Sequence, residues 1–347
     1  MEYGSEFHAR ANDPFERAFP GFVQDDWSLL RSGRDALKAL AGLVRGRRVL
    51  LSALCCESMI VPFALNGCEV VLYRMREDLR GDEADVRDKL TDAALLLYMP
   101  YFGIRPFSDA FLRELKSCGR DLLLVEDRTQ DIVIPRGEEG FTPDAVFASL
   151  RKWAALPEGG MLHTALPVKI GPADSRFGDL RQEAMEKRSR YLESGDPALK
   201  RDAQRLLHEA EALLDRDGAP AAISEPYRRT LLRLDLAEIG RVRQRNLRRL
   251  AERLEPLRRA GRLRFLSDHA ADSGLYFPVL LEDRDTVKLA MWAQGIYHPV
   301  IWPEPGEAAG VCPVSRSVVD HMLALLCDQR YSLADMDFLA DRLLEIM

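Results

Sequence analysis

Between residues 30 and 165, short apolar runs alternate with longer stretches in which apolar positions recur every three or four residues. The short runs at 48–52 (RVLLS), 69–73 (EVVLY), 94–98 (ALLLY), 122–126 (LLLVE) and 145–149 (AVFAS) predict strands. The longer ones at 34–43, 57–66, 83–90 and 108–117 predict helices, the first and last stopped by Gly46 and Gly119. Strand and helix in alternation build a mostly parallel sheet, which buries both faces under helices. From about residue 178 the pattern becomes long, charged and helical up to 217, and it resumes over 225–260. Beyond Gly261 lie strand-like runs at 263–266 and 275–281, a helix at 285–294, a proline-rich stretch at 299–313 and a closing helix from 332. The order is that of a large α/β domain followed by a smaller α+β one.

Length agrees with this division, because 347 residues exceed what one hydrophobic core usually organises. The expected parts are an N-terminal segment at 1–24, a large domain at 25–220 and a small domain at 221–347. The opening string MEYGSEF resembles a cloning remnant, so residues 1–7 are set aside from the fold. A net charge of −6, with acids and bases interspersed, offers no field for a polyanion, and nucleic acid is not an expected partner. The arginine-rich run at 241–264 is broken by Glu252 and Glu255 and reads as a solvated helix face. Six cysteines, at 55, 56, 68, 118, 312 and 327, make no paired C-x-x-C spacing, which suits reduced thiols rather than a zinc or redox centre. No His/Asp/Glu cluster has metal-ligand spacing, so no metal is expected. No run approaches the roughly 20 apolar residues that span a bilayer, and no export signal opens the chain. A cytoplasmic protein without membrane contact is the expectation.

Candidate chemistry gathers at the ends of two predicted strands. Asp127 follows the LLLVE run and Lys152 lies three residues beyond AVFAS. Ligands of open α/β sheets bind outside the carboxyl ends of strands, which is where both residues fall. A carboxylate and an amine at such a site are what an aldehyde cofactor with a pyridine ring requires. The carboxylate would keep the ring nitrogen protonated, and a desolvated lysine beside a cationic ring would be a neutral nucleophile. Taken alone, a surface lysine near a loop is the commoner explanation of Lys152.

The surrounding strings change that balance. VEDRTQ at 125–130 and FASLRKWAALPEGG at 147–160 resemble the ED-x-x-Q and S…K…EGG signatures of the DegT/StrS sugar aminotransferases, which are fold-type I enzymes dependent on pyridoxal phosphate. SGRDALKALAGL at 32–43 is similar to that family's phosphate-binding turn before a helix, and YMPYFG at 98–103 to its turn ahead of the ED motif. GIYHPVIWP at 295–303 and the closing helix resemble its small-domain substrate loop and terminus. The resemblance implies that Lys152 forms the Schiff base with the cofactor, Asp127 faces the pyridine nitrogen and Gln130 packs near the ring. Ser149, Ser32, Gly33 and Arg34 would hold the phosphate, the helix N-terminus supplying amides. Tyr101, His298 and Trp302 would face the substrate, and a homodimer is implied.

Two departures mark a divergent member. Ser149 stands only three residues before Lys152, a spacing similar to other fold-type I aminotransferases, and Cys56 occupies the place where the family sets an aromatic ring against the cofactor. The reaction implied is transfer of an amino group from an amino acid, glutamate first among donors, to a nucleotide-linked keto sugar. Another carbanion reaction, elimination or a lyase step, would use the same pair. A non-catalytic binding subunit with this fold is the third reading.

Overall fold

The computed structural model describes residues 2–4, 6–9, 15, 27–118, 121–134, 140–216, 218–266, 273–302 and 310–347. In chain order its elements begin with β1 (Tyr3–Gly4), β2 (Trp27–Leu30), α1 (Gly33–Leu43), β3 (Arg48–Ser52), α2 (Glu57–Leu65), β4 (Glu69–Tyr73), α3 (Glu83–Lys89), β5 (Ala93–Tyr98), α4 (Asp109–Ser117), β6 (Leu123–Asp127), β7 (Ala145–Ser149) and β8 (Gly160–Thr164). There follow α5 (Arg176–Ser194), α6 (Pro197–Arg216), α7 (Glu225–Leu232), α8 (Leu236–Arg259), β9 (Arg264–Phe265), β10 (Phe277–Leu280), α9 (Arg284–Ala293), β11 (Ile296–Tyr297), α10 (Pro313–His321), β12 (Met322–Leu325) and α11 (Leu333–Ile346).

The main sheet has seven strands in the order β2-β8-β7-β6-β5-β3-β4. Strands β4, β3, β5, β6 and β7 run parallel, and β8 lies antiparallel to both β7 and β2. Apolar runs buried on both faces explain why β3 and β5 are nearly continuous hydrophobic sequence. Helices start where polar caps satisfy free amides: Ser32 for α1, Asp82 for α3, Ser108 for α4 and Asp235 for α8. Because the parallel strands point one way, Ser52, Tyr98, Asp127 and Ser149 all end on the same edge, and α1 begins beside them.

The five predicted strands of the parallel region and the four predicted helices all form. The periodicity did not reveal β2 and β8. Each is a four- or five-residue run beside glycine or turn residues, too short for a period to declare itself. Nor did it reveal α10 and β12, where the chain passes from helix to strand at Met322 with no turn residue between them. The long helical region is broken at Gly195, whose φ of 74° ends α5 in the left-handed conformation and turns the chain back into α6. Gly46, with φ of 71°, sits just after α1 as predicted, while Gly119 lies outside the described residues. So does 303–309 of the proline-rich stretch.

A second core gathers Leu247, Leu250 and Leu254 of α8 with β10, β12, α9 and α11. Earlier residues of the same helix, Leu236 and Ile239, instead pack on Trp153 and Leu150 of the main body. The change of packing partner therefore falls inside α8. The opening segment, set aside above, is built into this second core: Tyr3 and Gly4 pair with Ile296 and Tyr297. The Tyr3 hydroxyl donates to Asp335 at 2.8 Å, and Tyr331 accepts from the Gly4 amide at 2.7 Å. Gly4 has a φ of 92° and no room for a side chain, since an added Cβ would stand 2.4 Å from the Tyr297 carbonyl oxygen.

Candidate active site

A cavity of about 300 Å³ opens at the strand-end edge, within the size range of small-molecule sites. Its walls include Gly33 and Arg34 from the start of α1, Cys56 and Met59 of α2, and Met99 after β5. Asp127, Thr129 and Gln130 follow from β6, Ser149, Arg151 and Lys152 from β7, and Trp302 from the far loop. A second cavity of about 500 Å³ adjoins it, sharing Gln130, Arg151 and Lys152 and adding Tyr276, His298 and Arg330. Lys152 thus stands on the wall common to both.

Asp127 is buried, and its Oδ1 accepts from the Thr129 amide at 2.8 Å. Burial pushes its carboxyl up, while the Thr129 hydrogen bonds and the Lys152 charge pull it down. Thr129 organises the site further: its hydroxyl accepts from the Ser149 amide at 3.0 Å and its carbonyl from the Trp153 indole at 2.7 Å. Lys152 differs from the sequence expectation of a desolvated amine. Its side chain is exposed, because in this position only the two cavities surround it. Gln130 is buried, with Oε1 accepting from the Phe102 amide at 3.0 Å.

At the other pole α1 approaches β7 so closely that a Cβ on Gly33 would lie 3.0 Å from the Ser149 Cβ. Gly33 and Ser149 line the cavity together. Ser32 does not: it is fully buried, accepts from the Asp35 amide as the helix cap and donates to Asp35 Oδ2 at 2.6 Å. Asp35 is in turn held by Arg31 at 2.9 Å, so the Ser32 hydroxyl is committed to the fold rather than offered to an anion. Arg34 does line the cavity, with its guanidinium turned to Glu211 and Asp215 of α6.

Cys56 caps α2 with its Sγ 3.0 Å from the Ser58 hydroxyl, and both face the cavity. With no aromatic at position 56, this wall is built from sulfur side chains, Cys56, Met59 and Met99, with Trp302 as the indole on the cavity's boundary. Trp302 has a φ of 55°, uncommon for a bulky residue, and meets the Tyr101 ring edge-on at 5.9 Å. Tyr101, read as a substrate contact, lies behind the wall instead. It is fully buried, lines neither cavity, and donates from its hydroxyl to Ser52 Oγ at 2.7 Å and to the Leu54 carbonyl. It shapes the turn that carries Cys55 and Cys56. His298 lines the second cavity, and burial drives its imidazole down to about 3, leaving neutral Nδ1 to accept from the Leu326 amide.

Several residues of the site gave no sequence signal. Arg181 of α5 and Glu211 of α6 line the first cavity from the stretch with the weakest family likeness. Arg243, read as one of many solvated arginines on α8, is fully buried: it stacks on Trp153 at 4.7 Å and donates to the Trp153 carbonyl at 3.1 Å. Gln329 donates to the same carbonyl at 2.6 Å, and accepts from Arg243 Nε at 2.7 Å. The second core is thereby bolted to the residue next to Lys152. The other arginines of that run behave as read, for example Arg241 with Glu238 and Arg258 with Glu255 on the surface. Among the described residues no group of three or more His, Cys, Asp or Glu is placed to hold a metal, and no helix is long and apolar enough to cross a membrane.

No protein-family model matches the sequence, and neither does any curated protein. Solved structures do match. A putative sugar aminotransferase from Streptococcus pneumoniae, in its PMP form, superposes with a TM-score of 0.69 at 12% identity over 99% of this chain and 98% of that one. S. venezuelae DesV, solved in complex with a ketimine intermediate, gives 0.65 at 19% identity over 92% and 84%. A DegT DnrJ EryC1 StrS aminotransferase from Brucella abortus gives 0.61 at 17% identity over 92% and 85%. The chain therefore has the fold-type I architecture of the pyridoxal-phosphate aminotransferases. Of these three structures, one is described as a putative sugar aminotransferase and another as a DegT DnrJ EryC1 StrS aminotransferase.

Proposed function

We propose that this chain is a pyridoxal-phosphate-dependent aminotransferase of the DegT/StrS type, moving an amino group from an amino acid, glutamate, to a keto carbon of a nucleotide-linked sugar. The observation that carries the reading is the meeting of Lys152 and Asp127 in one cavity at the strand ends of a fold-type I sheet. The donor set fits the group. A primary amine, a buried carboxylate and a pole made of Gly33, Ser149 and arginines correspond to an aldehyde, a pyridine nitrogen and a phosphate. When bound, the cofactor supplies the aldehyde that captures an amine and the ring that draws electron density from the adjacent carbon.

The remaining work falls to the chain. Asp127, whose carboxyl burial raises while the Thr129 hydrogen bonds and the Lys152 charge oppose that rise, would pair with the ring nitrogen and keep it protonated. Lys152 Nζ would take up and return a proton at the reacting carbon, and its place between the two cavities gives it reach to both cofactor and substrate. Gln130, tied to Phe102, and the sulfur wall would fix the ring's plane and exclude water. The larger cavity, with neutral His298 and the Asp328–Arg330 pair at 2.8 Å, supplies the room and polar contacts for a sugar.

The test is spectroscopic. Protein loaded with pyridoxal phosphate should be yellow, and borohydride should bleach it and fix the cofactor to Lys152. In a separate, unreduced sample, glutamate should convert the bound group to its amine form with release of 2-oxoglutarate. Colourless protein that takes up no cofactor would remove the reading. Uptake without response to any amine donor would leave an elimination or lyase reaction on the same residues.

A further inference from the structure

Three guanidinium groups converge on one carboxylate at the α1 end of the first cavity. Arg34 contacts Glu211 directly, Arg151 donates to it at 3.1 Å and Arg181 at 3.2 Å. Burial pushes the Glu211 carboxyl up, but Arg151, Arg34 and Arg181 together hold it down at about 2, so it is ionised at any ordinary pH. A single carboxylate does not use the donors offered. The Nε groups of both Arg151 and Arg181 are buried without a hydrogen-bond partner among the described residues. Both guanidiniums are fixed over the Phe177 ring, at 5.0 and 5.8 Å, which sets their positions before any ligand arrives. Gly33 at the first turn of α1 and Ser149 line the same end of the cavity. The excess of oriented donors suits a group with two charges and three acceptor oxygens better than a carboxylate. Glu211 is itself 35% exposed at its side chain, so it has a path to water.

We propose that Arg34, Arg151 and Arg181 form an anion pole that takes the phosphate of the cofactor, and that Glu211 is a resident carboxylate which the phosphate displaces. The inference rests on the cofactor reading above and adds to Arg34, which the turn before α1 already suggested, Arg151, Arg181 and their shared counter-ion Glu211. Its consequence is that affinity for pyridoxal phosphate relative to pyridoxal, which lacks the phosphate, depends in part on Arg181 of α5 and Glu211 of α6, far from the lysine motif in sequence.

The experiment measures binding of pyridoxal phosphate and of pyridoxal to the full-length chain by absorbance. Arg151→Gln and Arg181→Gln should each weaken pyridoxal phosphate about tenfold to a hundredfold and leave pyridoxal unchanged. Glu211→Gln, which keeps size but removes charge, should tighten pyridoxal phosphate about tenfold, again without effect on pyridoxal. Arg34→Gln, at a more open position, repeats the arginine test should the buried variants fail to give a normal melting curve. If the arginine variants keep the wild-type preference for pyridoxal phosphate, or Glu211→Gln binds it more weakly, the proposal is overturned. If the wild-type chain takes up neither compound, the cofactor reading fails. Phosphorus NMR with inorganic phosphate then decides the anion pole: line broadening by Glu211→Gln that the added Arg151→Gln abolishes retains it, and no broadening ends it.

Discussion

The pair Gly159–Gly160 offers a sharp trial of how the site is assembled, because its two members look alike in sequence and differ in space. A methyl group on Gly160 would lie 2.2 Å from the Ser32 carbonyl oxygen, 2.3 Å from its carbon and 3.0 Å from the Gly33 nitrogen. All three are main-chain atoms, and non-bonded heavy atoms rest at roughly 3.5 Å, so the first turn of α1 must retreat by roughly 1 Å. It cannot do so while keeping Gly33 against Ser149 and Leu30 in register with Gly160. Overpacking of this kind costs about 1–3 kcal/mol. On Gly159 the nearest atom to the same methyl is the tip of Leu156 at 3.1 Å, followed by Arg151 atoms at 3.6 Å. A leucine tip yields to a methyl at under about 1 kcal/mol. Gly160→Ala should therefore lower the urea midpoint and weaken pyridoxal phosphate about tenfold or more, as 1.4 kcal/mol is a factor of ten. Gly159→Ala should match the parent in both measurements. Equal behaviour of the two variants would refute the claim that α1 is wedged between β8 and β7.

Three further outcomes follow from the buried polar groups. Burial raises the Asp127 carboxyl in the folded chain, so its stability contribution is whole below the ordinary carboxyl value of 3.8 and is lost as pH rises through the raised one. Asp127→Asn should remove that loss, and urea midpoints of parent and variant that stay parallel upward from pH 4 would contradict it. The His298 ring is depressed to about 3 from an ordinary 6.5, so the folded chain loses stability as pH falls through that window while the unfolded chain gains the proton. His298→Asn, keeping an acceptor near the Leu326 amide, should flatten fluorescence-monitored stability between pH 6.5 and 4, and an unchanged slope would count against the buried neutral ring. Tyr101→Phe should cost about 1 kcal/mol in urea unfolding through its lost bonds to Ser52 and Leu54. Its cofactor affinity and KM should stay at parent values, and a tenfold change in KM would return Tyr101 to the substrate site.

Much of the main sheet was legible because its signals are local. An apolar run buried on both faces, a polar cap and a stop glycine act within a few residues, so β3, β4 and β7 were bounded to the residue. The two residues on which the functional proposal turns, Asp127 and Lys152, were legible for the same reason: Asp127 ends β6, Lys152 lies three residues beyond β7, and parallel strands deliver their ends to one edge. Ser32 and Tyr101 show the limit of that reasoning. Both belong to recognisable strings, but their hydroxyls are consumed by Asp35 in one case and by Ser52 and Leu54 in the other.

By itself, then, the sequence determined the βαβ series, the edge where the cavity opens and the amine and carboxylate placed there, since each depends on periodicity and chain order. Tertiary structure alone decided the rest. Antiparallel β8 and β2 close the sheet through pairings that short runs do not announce, and Tyr3 is held by Asp335 at the opposite end of the chain. The α5–α6 hairpin brings Arg181 and Glu211 to Arg34 and Arg151, and Arg243 leaves an arginine-rich helix face to hold the carbonyl beside Lys152. Contacts between residues far apart in the chain are chosen by packing and by the need to pair buried charge, and neither leaves a period in the sequence.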